Sequence, residues 1–187
     1  MAAFQGGDMA AFETLVARHE RKLWSFVLRM TRDSAASEDI VQEAFVRVVR
    51  ARATWRPSAK FSTWLYTIAR HLVIDGARQR KSRSEAGFVE TPLAFEEARV
   101  AGEMTHGPEL GPGDVRSAVE ALPLEQRDVF LLKELQSFTF EEIAEVTGVA
   151  LGTAKSRYRY AVERLRTALA GERDPASDDA MDEVARE

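Results

Sequence analysis

What most constrains this chain is the spacing of its apolar residues, which recur at helical intervals in one stretch after another. Between Ser37 and Arg83, Ile40, Val41, Ala44, Phe45, Val48 and Val49 form one such set, and Trp64, Leu65, Ile68, Ala69, Leu72 and Val73 form a second. Each set draws a stripe along an α-helix, and neither alternates as a half-buried strand would. Upstream, Phe12, Leu15, Val16, His19, Leu23, Phe26, Val27 and Met30 make a third stripe, with Arg18, Arg21, Lys22 and Arg29 on the other side. Asp33 or Ser34 is placed to cap the helix that follows. At 187 residues the chain can make one ordinary domain or two small ones, each needing a compact helical core.

The faces left over by these stripes carry the chemistry. Asp39, Gln42, Glu43 and Val46 share one face, with Asp39 and Glu43 a turn apart. Such acids either solvate a surface helix or meet a basic partner. The segment TWRPSAKF then breaks the periodicity at Pro57, and Trp55 and Phe61 bracket a loop that also carries Arg56 and Lys60. An aromatic flanked by cations can stack an unpaired base while the cations meet phosphate. The other reading of Trp55 is a plug in the local core. Trp64 and Leu65 are expected in the core, and Arg78, Arg80, Lys81 and Arg83 make the end of this helix basic.

In the second half, Asp114 can cap a helix through Ala121, and Pro123 opens another in which Val129, Phe130, Leu132 and Leu135 turn inward. Thr139, Phe140, Glu141 and Glu142 have capping-box spacing ahead of Ile143, Ala144 and Val146. Gly148 supplies a turn, and Leu151 to Ala170 forms the last helix, which is the order of a helix-turn-helix. Ala154, Tyr158, Ala161, Val162, Leu165 and Leu169 are its expected buried stripe. Thr153, Lys155, Ser156, Arg157, Arg159 and Tyr160 remain on its outward surface, where a recognition helix enters the major groove. A solvated basic face is the alternative.

Charge and composition exclude several classes of function. The net charge is −4, yet residues 1–84 hold 15 basic against 8 acidic side chains, and residues 85–114 hold 1 against 7. Residues 115–170 balance at 8 against 8, and residues 171–187 hold 2 against 7. The acidity sits in a linker and a tail, and the first half is basic. The linker is Gly/Pro-rich over 107–113, with at most a short helix around Leu93–Val100, and reads as a solvated spacer or as an acidic mimic of nucleic acid. The tail beyond Gly171 should be disordered. Cysteine is absent, and His19, His71 and His106 stand apart from any ligand cluster, so no metal site is expected. No phosphate-cradling glycine loop or nucleophile elbow is present, so no catalytic residue and no cofactor are expected. No apolar run reaches membrane-spanning length and no signal pattern opens the chain, so membrane insertion is not expected and a cytoplasmic protein is.

Two blocks carry a family resemblance. DIVQEAF followed by FSTWLYTIARHLVIDGARQRK resembles the second conserved domain of bacterial sigma factors of the extracytoplasmic-function group. TFEEIAEVTGVALGTAKSRYRYAVERLR resembles their fourth. With GDMAAFETLVARHERKLW upstream, the resemblance covers residues 4 to 171. It implies an all-α chain of two small helical domains joined by a flexible linker. The first domain spans residues 1–83, the acidic linker 84–113, the helix-turn-helix domain 114–171 and the tail 172–187.

The resemblance further implies that Asp39, Gln42 and Glu43 meet a basic coiled coil of core RNA polymerase. Trp55, Arg56, Lys60, His71, Arg78 and Arg80 would take the −10 element of promoter DNA, and Thr153, Lys155, Ser156, Arg157, Arg159 and Tyr160 the −35 element. The linker would thread through the polymerase, and an anti-sigma factor would hold the chain in check. A stand-alone helix-turn-helix regulator, whose first domain senses a ligand or dimerises, is the alternative. Ala150, the Arg159-Tyr160 pair and His71 depart from what relatives commonly carry, so no promoter sequence is carried over. The chain ahead of Asp8 is also short for the family.

Overall fold

The computed structural model describes residues 1–56, 60–85 and 115–170. The break at Pro57, the short helix at Leu93–Val100, the Asp114 cap and the acidic tail lie outside the described residues. Within them the chain forms eight helices and no strand. These are α1 (Ala2–Gln5), α2 (Met9–Thr31), α3 (Ser34–Arg50) and α4 (Phe61–Glu85), then α5 (Val115–Ala121), α6 (Leu124–Glu134), α7 (Phe140–Thr147) and α8 (Leu151–Ala170).

Side-chain caps set where the helices begin. Asp8 Oδ1 accepts from Ala11 N at 3.1 Å and Asp33 Oδ1 from Ala36 N at 3.0 Å, so Asp33 is the cap of α3. Arg32, in the left-handed region at φ 59°, closes α2 just before it. At α7 the capping box is complete: Glu142 N donates to Thr139 Oγ1 at 3.2 Å, and Thr139 N donates to Glu142 Oε2 at 2.8 Å. Gly148 ends that helix at φ 70°, a conformation that favours glycine, and so turns the chain into α8.

The expected stripes build the first bundle. Leu23, Phe26, Val27 and Met30 of α2 meet Val41, Ala44 and Val48 of α3 and Leu65, Ala69 and Val73 of α4. Val49 departs from expectation and is 43% exposed. It lies about 100° beyond Val48 on the helix, past the edge of the contact with α2 and α4. Trp64 is only half-buried, while Tyr66, which no stripe included, is buried. The short segment before Asp8 also folds, and Phe4 of α1 is fully buried.

The second bundle packs Val129, Leu131 and Leu132 of α6 with Ile143 and Val146 of α7 and Ala154, Ala161 and Leu165 of α8. Leu131 faces inward, whereas Leu135 is exposed and Phe130 half-buried. The shift follows from the place of α6, which packs on α8 and also on α2 of the first bundle. A helix covered on two sides loses the one-stripe pattern.

The two bundles therefore share one core rather than meeting only through the linker. Where α4 packs on α7, the Tyr66 ring lies 5.1 Å from Phe138, and its contact with α2 places it 5.2 Å from Phe26. The Tyr66 hydroxyl donates to Gln136 Oε1 at 2.6 Å, and burial raises its pKa above the ordinary value. Arg70 of α4 forms an ion pair with Asp128 of α6, a carboxylate with only 2% of its side chain exposed. Burial raises the Asp128 pKa, against the pull of Arg70. Next to it Arg127 donates to Leu122 O at 2.9 Å and Arg29 O at 3.4 Å, and burial lowers its pKa to about 10.

Removing one partner of a buried ion pair costs about 3–5 kcal/mol, because the other charge stays desolvated. In Arg70→Ala, separation of the bundles would rehydrate Asp128. Small-angle scattering should show a larger radius of gyration at unchanged helical circular dichroism, and the swap Arg70→Asp with Asp128→Arg should reverse it. An unchanged radius in the single mutant would contradict this role.

Candidate nucleic-acid interface

Helical geometry decides which of the α4 candidates stand together. At about 100° per residue, Lys60, Trp64, Thr67, His71 and Arg78 fall within one narrow column. His71 and Arg78 are exposed on it, Arg78 with its Nη1 4.0 Å from Asp75 Oδ1. Arg80 does not join them. It lies about 200° round from Arg78 and is half-buried on the side of Ala69 and Val73.

Trp55 stands at the head of this column. Its ring centroid is 6.2 Å from that of Trp64, which is 6.0 Å from Phe61, and Phe61 is 5.3 Å from the His19 ring. Trp55 is half-buried beside Trp64, partly packed on the local core and partly accessible. Arg56 beside it is exposed, with Nη1 3.2 Å from Trp55 O. Burial lowers the His19 pKa, and Arg18 and Lys22 add to the effect. An aromatic row with Arg56, His71 and Arg78 along it has the parts needed to hold an unpaired strand.

Lys60 is committed elsewhere in this conformation. Its Nζ lies 2.7 Å from Glu142 Oε1, the same carboxylate that completes the α7 capping box. Burial pushes the Glu142 pKa up, but the hydrogen bonds from Lys60 and the Thr139 backbone outweigh it, and the net shift is downward.

On α8, Thr153, Lys155, Arg159 and Tyr160 are exposed as expected, and Ser156 is half-buried with its hydroxyl donating to Thr153 O at 3.0 Å. The Arg159 guanidinium lies over the Tyr160 ring at 5.1 Å from the centroid. Arg157 corrects the sequence expectation. Only 20% of its side chain is exposed, and it forms an ion pair with Glu125 of α6. Position 157 sits on the flank of α8 beside the buried Ala154 and Ala161, so Arg157 ties two helices together. Tyr158 likewise turns back, donating to Glu134 Oε1 at 2.7 Å, and that bond raises its pKa.

The acid face of α3 is mixed. Asp39 and Gln42 are exposed, while Glu43 is half-buried and held by Arg47 Nε at 3.0 Å. Val46 and Val49, 40% and 43% exposed, continue this face toward the C-terminal end. A shallow groove between α2 and α3 adds the half-buried Trp24, with Glu20, Arg21, Glu38 and Gln42 around it. Sequence reasoning missed Trp24 and Val49, and the signal was available in Val49, which widens the α3 stripe past what one contact can cover. Among the described residues there is no metal-ligating cluster of three or more side chains, and no helix long and apolar enough to cross a membrane.

Comparison with known proteins matches residues 15–83 to the family model of Sigma-70 region 2 and residues 113–165 to that of Sigma-70, region 4. The chain is similar to the RNA polymerase sigma factor CarQ of Myxococcus xanthus, 30% identical over 173 residues that cover 90% of this chain and 95% of that one. It is 34% identical to the ECF RNA polymerase sigma-E factor of Escherichia coli K12 over 163 residues, covering 82% and 83% respectively. In fold it resembles the sigma factor RpoE of Bartonella quintana, crystallised with the anti-sigma factor NepR. That likeness has a TM-score of 0.67 at 24% identity and covers 87% of this chain and 99% of that one.

On α8 the exposed cations Lys155 and Arg159 and the tied Arg157 lead to different expectations. Lys155→Ala and Arg159→Ala should each weaken duplex binding, by roughly 1–3 kcal/mol where the contact is to a base edge. Arg157→Ala should chiefly lower the melting temperature by loosening α8 from α6. Footprints in which Arg157→Ala loses protection at wild-type stability would reverse the assignment.

Proposed function

This chain belongs to the extracytoplasmic-function group of the sigma-70 family of RNA polymerase sigma factors, and from that premise we propose how its surfaces share the work of promoter recognition. Its function as a transcription initiation factor is to bind core RNA polymerase, direct it to promoters and assist in opening the duplex. A stand-alone regulator would leave region 2, matched over residues 15–83, without a use. The protein works in the cytoplasm, where the polymerase is.

Asp39, Gln42 and Glu43 meet a basic coiled coil of the polymerase, with Val46, Val49 and Trp24 adding apolar contact. Opposite charge sets the register of such a contact, and the apolar residues add area. Thr153, Lys155, Ser156, Arg159 and Tyr160 read the −35 element in the major groove. Trp55, Arg56, His71 and Arg78 then hold unpaired bases of the −10 element, so that strand capture drives opening. The observation that carries this division is the aromatic and basic column on α4 in the same chain as a capped helix-turn-helix.

Promoter binding also requires the bundles to part. The two elements lie about 25 base pairs apart, or about 85 Å at 3.4 Å per pair. In the structure α4 packs directly on α7, the partner helix of α8. We infer that the closed packing is the resting form, that engagement of polymerase separates the bundles, and that separation frees Lys60 from Glu142 to join the −10 surface. A relative of the same fold is held by an anti-sigma factor, and a partner of that kind is proposed here too.

Run-off transcription with core polymerase on a genomic fragment library should yield transcripts that share a −10 and a −35 element. Output no different from core polymerase alone would overturn the function. Asp39→Lys with Glu43→Lys should keep the fold and weaken polymerase binding by several kcal/mol, through like-charge contact. Normal competition for core polymerase by that double mutant would displace the contact to another face. Trp55→Ala should bind polymerase and form closed complexes but lose open complex on duplex promoters, and a template already unpaired across −10 should recover most of the activity.

A further inference from the structure

The segment ahead of α2 is tied into the strand-capturing loop. Phe4 is fully buried, its ring stacked on Phe12 at 4.8 Å, with the Arg52 guanidinium 5.4 Å from the ring centroid. Gln5 follows directly on this anchor. Its Nε2 donates to Arg52 O at 3.0 Å and to Trp55 O at 2.9 Å.

Those two carbonyls bound the turn that leaves α3. Inside the turn, Thr54 N and Trp55 N donate to Ala51 O at 3.1 and 2.9 Å. Carbonyls just past a helix end have no helical donor and are met by water or by a side chain. Here one primary amide spends both of its hydrogens on them. Gln5 thereby adds a hold from outside the loop to the local ones on the Trp55 backbone, its N–H on Ala51 O and Arg56 Nη1 on its carbonyl, while Trp64, 6.2 Å away, packs beside its ring. A platform fixed before its ligand arrives loses less freedom on binding.

We propose that Phe4 and Gln5 form a hook that positions Trp55 for the unpaired −10 strand, with Gln5 acting as a positioning residue that touches no base. The proposal rests on the reading of Trp55 as a strand-capturing side chain. It gives the first residues of the chain a part in promoter opening. It also predicts a specific dependence: Gln5 matters to strand binding only while Trp55 is present.

The test uses the full chain assembled with bacterial core RNA polymerase. The probe is a fluorescein-labelled random-sequence single-stranded DNA, because stacking tolerates any base, and core polymerase alone gives the background. Gln5→Ala should lower sigma-dependent strand affinity roughly three- to tenfold, the scale of two lost hydrogen bonds that act indirectly. Gln5→Glu keeps the size, replaces the donor with an acceptor, and should lower affinity at least as far. Polymerase affinity and melting temperature should stay near wild type in both. In a Trp55→Ala background, Gln5→Ala should weaken binding no further.

Equal weakening by Gln5→Ala with and without Trp55 would overturn the hook. So would wild-type strand affinity in both Gln5 variants when Trp55→Ala is impaired, or a lower melting temperature with unchanged affinity per folded molecule. Wild-type affinity in Trp55→Ala would instead overturn the strand-capture reading beneath it.

Discussion

The buried ion pair between Arg70 and Asp128 is the constraint on which the closed form depends. A carboxylate with 2% of its side chain exposed is tolerable only while a cation sits against it. The cation comes from α4 and the acid from α6, so the bundles must stay together for the pair to persist. Tyr66 on Gln136 and Lys60 on Glu142 lie along the same seam and are lost with it. Polar contacts of this kind suit a joint that must open, since each partner can be rehydrated after separation.

On the proposed mechanism, the seam also sets which DNA contacts are available in each state. With the bundles closed, His71 and Arg78 are exposed and Trp55 is half-buried, so on the proposed reading the single-strand surface is largely formed in the closed molecule, except for Lys60. On α8, Lys155, Arg159 and Tyr160 are exposed in the closed form as well. What closure removes is the distance between the two surfaces. Control by distance needs no masking of either reader, and any partner that clamps the bundles together would act in the same way.

Much of this was legible in the residues. The α2, α3 and α4 stripes, the Asp33 cap and the Thr139 capping box followed from spacing and cap chemistry, because each depends on neighbours within a turn or two. The interdomain seam did not follow. Tyr66, Arg70 and Asp128 each read as an ordinary helix residue, and their burial depends on partners 58 to 70 positions away. Arg80 and Arg157 differ from expectation for a related reason: a basic residue near a helix end reads as outward until its angle round the helix is followed. Gln5 carried no local signal at all, since its partners, Arg52 and Trp55, lie across the first bundle.

On the proposed mechanism the closed and promoter-bound forms exclude one another, and the distance between α4 and α7 reports this directly. The chain has no cysteine, so spin labels can be placed uniquely at Gln79→Cys on α4 and Glu145→Cys on α7, both exposed. Pulsed electron-resonance distances should be short and narrowly distributed in the free protein. In the polymerase complex on a promoter they should lengthen by tens of ångströms, toward the element separation of about 85 Å. The same short distance in an actively transcribing complex would contradict the separation of the two bundles.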